Sequence, residues 1–151
     1  MFLLHKTDMG RFREAWVRSE LTADMAMDNI FPDRPTSSLK TTLPIEKYTG
    51  VYTHPAFREL KVSVGSPSLP FRRGTQLWAT RPAATWNSII ELEHVSGEYW
   101  VAYSYLASSP TTVQDIGRLE FKIGVSGVVH SLELGWGAGR SPVMFTFLKE
   151  V

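Results

Sequence analysis

His94 and His130 are each the lone ionisable side chain in a run of alternating apolar residues. Trp86, Ser88, Ile90 and Leu92 precede His94 at steps of two, and Val128, Leu132, Leu134 and Trp136 surround His130 in the same way. Successive side chains of an extended chain point to opposite faces, so this spacing predicts that both imidazoles point inward with their apolar neighbours. Burial disfavours the imidazolium cation. A buried, neutral imidazole can then serve as a general base. The same placement suits a core histidine whose ring nitrogen is satisfied by a tyrosine or a backbone carbonyl. Tyr99, Tyr103 and Tyr105 share one face of the segment 98–107, opposite Trp100, and either set could face inward. A hydroxyl such as that of Tyr103 could polarise a carbonyl in the manner of an oxyanion donor, or the rings could simply pack across strands. Trp86, Trp100, Tyr105 and Trp136 offer flat surfaces for a conjugated ligand, with core filling as the alternative.

The elements that must position these residues are short and alternating. Leu60, Val62 and Val64 alternate with Lys61 and Ser63 before Gly65-Ser66-Pro67 turns the chain, and 76–80 is a second short run ended by Arg81-Pro82. Segments 86–95 and 98–107 are joined by the turn Ser96-Gly97. Leu119, Phe121 and Ile123 oppose Arg118, Glu120 and Lys122, and Val125-Ser126-Gly127 turns into 128–136. Phe145 and Phe147 close the series. Regular short strands separated by turn signals predict an all-β fold, specifically an antiparallel barrel of seven or eight strands. Glu91, Glu93, Arg118, Glu120 and Lys122 fall on the opposite parity and read as a solvated face.

The first 35 residues differ from the remainder, and 32–44 reads as a linker. Phe12, Trp16, Ser19, Ala23, Met27 and Ile30 step by three or four, the stripe of an amphipathic helix that Pro32 and Pro35 then end. Such a helix must bury its apolar side, so it is expected to dock on the barrel. The expected organisation is therefore a helix and linker over 1–44 and a barrel over 45–151.

One domain's worth of chain, 151 residues, holds 43% hydrophobic and 21% charged residues, the balance of an ordinary globular protein. Sixteen Lys+Arg against fifteen Asp+Glu leave a formal charge of +1, too even for an electrostatic nucleic-acid binder. The absence of cysteine excludes disulfides, zinc-thiolate sites, iron–sulfur clusters and a thiol nucleophile. No H-x-H or H-x-x-x-H pair suggests a metal, and Gly135, Gly137 and Gly139 precede no helix that could cradle a phosphate. No cofactor is expected. No apolar run is long enough to span a bilayer, and Met1-Phe2-Leu3-Leu4 is too short for a signal-peptide core, so a cytoplasmic protein without a membrane partner is the expectation.

The run Leu43-Pro44-Ile45-Glu46-Lys47-Tyr48-Thr49-Gly50-Val51-Tyr52-Thr53-His54-Pro55, followed by Leu60 to Val64, resembles the opening of a known domain. This is the lipocalin-like domain at the C-terminal end of β-lactamase-related, penicillin-binding-protein-type serine hydrolases. Leu92-Glu93-His94, Gly127-Val128-Val129 and Phe145-Thr146-Phe147 sit where that pattern would put them, and the segment Phe31 to Pro35 looks like its linker. The hydrolase part with its catalytic serine is not among these 151 residues. Ser37-Ser38-Leu39-Lys40 matches the nucleophile motif S-x-x-K, but in a proline-bounded linker rather than at the buried helix start that the motif requires.

The resemblance implies either an accessory, non-catalytic binding domain or a stand-alone relative. Small fungal stand-alone relatives suggest an enzyme that binds an apolar acyl or polyketide chain and promotes thioester hydrolysis or closure to a lactone (pyrone). His94 or His130 would take the enol proton, and no cofactor would be needed. Arg72-Arg73 would then be a point of contact for an acyl carrier protein. A third reading is an interaction domain that dimerises through edge strands or the helix.

Overall fold

The structure is a computed structural model that describes residues 10, 23–65, 76–84, 87–137 and 142–151. Eight strands run in chain order: β1 (Gly50–His54), β2 (Arg58–Val64), β3 (Leu77–Thr80), β4 (Ser88–Ser96), β5 (Tyr99–Leu106), β6 (Ser109–Ile123), β7 (Val129–Trp136) and β8 (Phe145–Lys149). Each pairs antiparallel with the next, and β8 returns to β1 through Tyr52 opposite Lys149 and Thr53 opposite Leu148. The barrel is closed, as the strand pattern predicts. Among the described strands, closure pairs every strand on both sides.

Alternation assigns the interior. Leu60, Val62, Leu77, Ala79, Ile90, Leu92, Trp100, Ala102, Leu119, Phe121, Leu132, Leu134 and Phe147 pack as one core inside the barrel, with Tyr48 and Tyr52. Trp100 is fully buried there, its ring edge-on to Phe121 with centroids 6.1 Å apart. The strand β5 is thereby settled: Trp100 and Ala102 face inward, while Val101, Tyr103 and Tyr105 face outward into a second apolar cluster with Ala23, Ala26, Ile30 and Phe31.

That second cluster is the helix docking that amphipathicity requires. The helix α1 (Ala26–Ile30) buries Ala26 and Ile30 against β5 and β6. Phe12, Trp16 and Ser19 of the expected stripe lie outside the described residues. The C-terminal end of α1 is closed by Arg34, whose Nη1 donates to the carbonyls of Phe31 (3.1 Å) and Met27 (3.3 Å) while Nη2 pairs with Asp28. A cation on the last carbonyls satisfies acceptors that the helix leaves orphaned and complements its dipole.

After Pro35 the chain runs along the β4–β5 hairpin. Ser38 Oγ donates to the Val95 carbonyl (2.7 Å), the Leu39 amide to Ser96 Oγ (3.0 Å), the Gly97 amide to the Leu39 carbonyl (2.9 Å) and the Thr42 amide to Glu98 Oε1 (2.9 Å). A 3₁₀ turn, Ile45–Tyr48, then plugs the barrel end: the Leu43 amide donates to the Tyr48 hydroxyl (3.1 Å), and the Tyr52 hydroxyl donates to the Tyr48 carbonyl (2.6 Å). Between the two tyrosines Gly50 adopts φ 141°, and a Cβ there would come within 2.9 Å of Lys149 Cε. Tyr-x-Gly-x-Tyr is thus a structural device that starts the barrel.

Candidate functional site

The histidines do not converge. His94 lies at the barrel end opposite Trp100, ring centroids 4.8 Å apart, and its Nε2 is 2.8 Å from the Gly97 carbonyl. A ring nitrogen facing a carbonyl oxygen at that distance is the donor, so His94 ties the β4–β5 turn to the core. Replacing His94 by alanine is expected to lower the unfolding free energy by about 1–2 kcal/mol, from one lost hydrogen bond and a ring contact. Urea denaturation would show it as a lower midpoint at unchanged slope.

His130 departs from its expected orientation. The β6–β7 register shifts between Lys122 and Ile123: Lys122 pairs with Ser131, but Ile123 pairs with Val129. The extra residue is a bulge, which reverses the parity of everything before it. Val129 therefore enters the core and His130 is exposed. Its ring sits over Gly124, where a Cβ would come within 3.1 Å of His130 Cδ2.

Tyr103 and Tyr105 are buried beneath the second apolar cluster on the outer face of the barrel. The Tyr103 hydroxyl donates to Glu93 Oε1 (2.9 Å), and Tyr105 donates to Glu91 Oε2 (3.3 Å). Glu91, expected on a solvated face, points outward as alternation predicts but is fully buried. The solvated reading holds better for Lys122, which pairs with Glu120 (3.0 Å) and reaches Glu133 at 4.0 Å. Trp100 fills the core, Trp136 is half-buried at the opposite barrel end, and Trp86 lies outside the described residues. Ser37 and Lys40 of the S-x-x-K match are both exposed, outside any helix.

The structure instead builds a groove outside the barrel, between the segment 30–39 and the β4–β5 hairpin. It encloses about 390 Å³, within the range of small-molecule sites, and its walls include Phe31, Pro35, Leu39, Val95, Tyr99 and Arg118. Phe31 and Tyr99 meet edge to face with centroids 5.8 Å apart. The Arg118 guanidinium lies over both rings, 4.8 Å from the Phe31 centroid and 5.4 Å from that of Tyr99. Cation–π contact of this kind pins a long side chain while leaving N–H donors free to face a ligand. Asp33 borders the same groove. None of His94, His130, Tyr103, Tyr105, Trp100 or Trp136 lines it.

Sequence reasoning missed Phe31 and Arg118 for separate reasons. Phe31 sits in a proline-flanked linker, where local pattern says nothing about packing. Arg118 has the outward parity of a surface charge, and only the helix segment laid across β6 makes it a wall.

Among the described residues no group of three or more His, Cys, Asp or Glu side chains is placed to hold a metal ion, and no helix is long and apolar enough to cross a membrane. The pattern of a domain family described as a domain of unknown function (DUF3471) matches residues 34–147. No curated protein and no solved structure matches the chain.

Proposed function

The chain belongs to the DUF3471 family, and from that premise we propose that it is a binding module for an apolar, conjugated acyl chain, held in the external groove. It resembles the lipocalin-like accessory domain of β-lactamase-related serine hydrolases. The observation that carries this reading is a contrast: the barrel interior is filled by Trp100, Phe121, Tyr48 and Tyr52, whereas the groove outside it is apolar, aromatic and open. A flat polyene or polyketide chain would lie against Phe31 and Tyr99, with a carbonyl oxygen accepting from Arg118.

Titration with cis-parinaric acid, a conjugated fatty acid whose fluorescence rises in apolar sites, tests this directly. Binding is expected, and Arg118→Ala is expected to weaken it about tenfold, the loss of one charge-assisted hydrogen bond and its stacked platform. Unchanged affinity in Arg118→Ala and in Phe31→Ala would exclude the groove.

A second reading, cofactor-independent hydrolysis or lactone closure of a polyketide thioester, draws support from Asp33 and Arg118 bordering one groove. The Asp33 carboxylate would take the enol proton, and the enolate oxygen would attack the thioester carbonyl. Arg118 would stabilise the oxygen that gains charge. A C–O bond forms, the C–S bond breaks, and the thiolate leaves with the proton that Asp33 took. An N-acetylcysteamine thioester of a triketide distinguishes the readings. Thiol release abolished by Asp33→Asn supports the enzyme, and no release with retained parinarate binding supports the binding module.

A further inference from the structure

We infer that the barrel end away from the groove, where β1 turns into β2 and β3 into β4, is a second site that takes small monocarboxylates carrying an aromatic or short aliphatic tail. The inference does not rest on the groove. An up-and-down barrel places the β1–β2, β3–β4 and β7–β8 connections at one end and the β4–β5 turn at the other.

At this end the rings of Phe57, Phe145, Phe147 and His54 cluster, with Phe57 and Phe145 centroids 4.7 Å apart and His54 and Phe57 centroids 4.9 Å apart. Together with Trp136 and Leu134 these phenylalanines frame an apolar recess of about 20 Å³, room for a methyl group or a ring edge. Beside it opens a more polar groove of about 380 Å³ that Arg58 and Arg81 both border. Arg81 is held in place by the Phe57 carbonyl, 3.5 Å from Nη2. No carboxylate among the described residues lines either space. Two guanidinium groups share one groove without a counter-charge, and the complement that fits both is an anion with its apolar end in the recess.

The backbone supports the same conclusion. Arg58 has φ 61°, the one non-glycine residue with positive φ among those described. It occupies the left-handed position of the His54–Arg58 hairpin, where glycine has no Cβ to clash. A strained arginine where glycine fits better marks a side chain kept for what it contacts. His54 Nδ1 accepts from the Ala56 and Phe57 amides (3.0 and 3.3 Å), fixing the turn that presents Phe57 and Arg58.

The test is calorimetric titration of the full chain with 3-phenylpropanoate and butanoate, beside 3-phenylpropanol and butanol. The carboxylates are expected to bind at least tenfold more tightly than the alcohols, with affinity falling as salt rises. Arg81→Gln and Arg58→Gly are each expected to weaken carboxylate binding about tenfold. Arg58→Gly should at the same time raise the melting temperature, because it relieves the left-handed strain. A purely structural role for Arg58 would show the rise in stability with binding intact. That result, equal binding of acid and alcohol, or no binding of either would each overturn the proposal.

Discussion

Replacing Trp100 by alanine is expected to cost about 3–5 kcal/mol of unfolding free energy, a large part of the 5–15 kcal/mol that holds a typical domain together. The indole is fully buried between His94 and Phe121, and the strands around it are hydrogen-bonded into a closed cylinder that cannot collapse onto the space left behind. Its Nε1 has no hydrogen-bond partner among the described residues. Trp100→Phe therefore removes an unsatisfied donor along with some volume, and should cost clearly less than the alanine change. Chemical denaturation of the two variants would establish the order. A Trp100→Ala protein of nearly normal stability, with parinarate binding newly lost, would mean that the indole lines a ligand cavity instead of filling the core.

Raising the pH above 10 is expected to unfold the protein cooperatively. Burial, with the Glu98 carboxylate nearby, pushes the Tyr48 phenol up to about 12. Burial, with Tyr48 beside it, raises Tyr52 further. In the unfolded chain both phenols lose their protons near pH 10, while the folded protein keeps them neutral. The stabilisation is complete below pH 10 and is lost as pH climbs through the folded-state value, at about 1.4 kcal/mol per pH unit for each group. Tyr48 and Tyr52 therefore both contribute to the loss of stability above pH 10. Tyrosinate absorbance at 295 nm should rise together with loss of the far-ultraviolet signal, and Tyr52→Phe should flatten the pH dependence of stability above pH 10. Smooth ionisation of every tyrosine near pH 10, with the β signal intact, would show that these phenols are open to water.

The barrel core around these residues was partly legible in the sequence. Period-two alternation in 88–92, 119–123 and 132–134 separates Ile90, Leu92, Leu119, Phe121, Leu132 and Leu134 from their polar neighbours, and all six are core residues. The extent of β6 was harder to read. It begins at Ser109, and Ser109-Pro110-Thr111-Thr112 has the composition of a turn. The strand tolerates a proline there because the pairing with β5 is irregular, shifting between Ser104 and Tyr105 and again before Leu106. Strand β5 was ambiguous in principle, since aromatic residues on both faces give alternation no contrast to work with.

The candidate site was the least legible part. His94 and His130 look equivalent in sequence, each an imidazole two residues from apolar neighbours. One inserted residue in the β6–β7 ladder turns His130 out to solvent, and no local pattern marks where a strand will bulge. Tyr103 and Tyr105 are buried on the outer face of β5 in a cluster shared with Ala23, Ala26, Ile30 and Phe31, and Glu91 is buried beside them, hydrogen-bonded to Tyr105. Arg118 becomes a groove wall because Phe31 arrives from 87 positions earlier in the chain.

The amino-acid sequence by itself determined the all-β class, the barrel of antiparallel hairpins and much of the core, Ile90, Leu92, Leu119, Phe121, Leu132 and Leu134 among it. These follow from alternation and turn chemistry, which act between residues a few positions apart. Tertiary structure alone decided that one bulge reverses the facing of His130, and that among the described residues open grooves lie outside the barrel at Arg118 and at its far end beside Arg58 and Arg81. Those features depend on contacts between segments distant in the chain, whose packing settles which side chains remain exposed to a ligand.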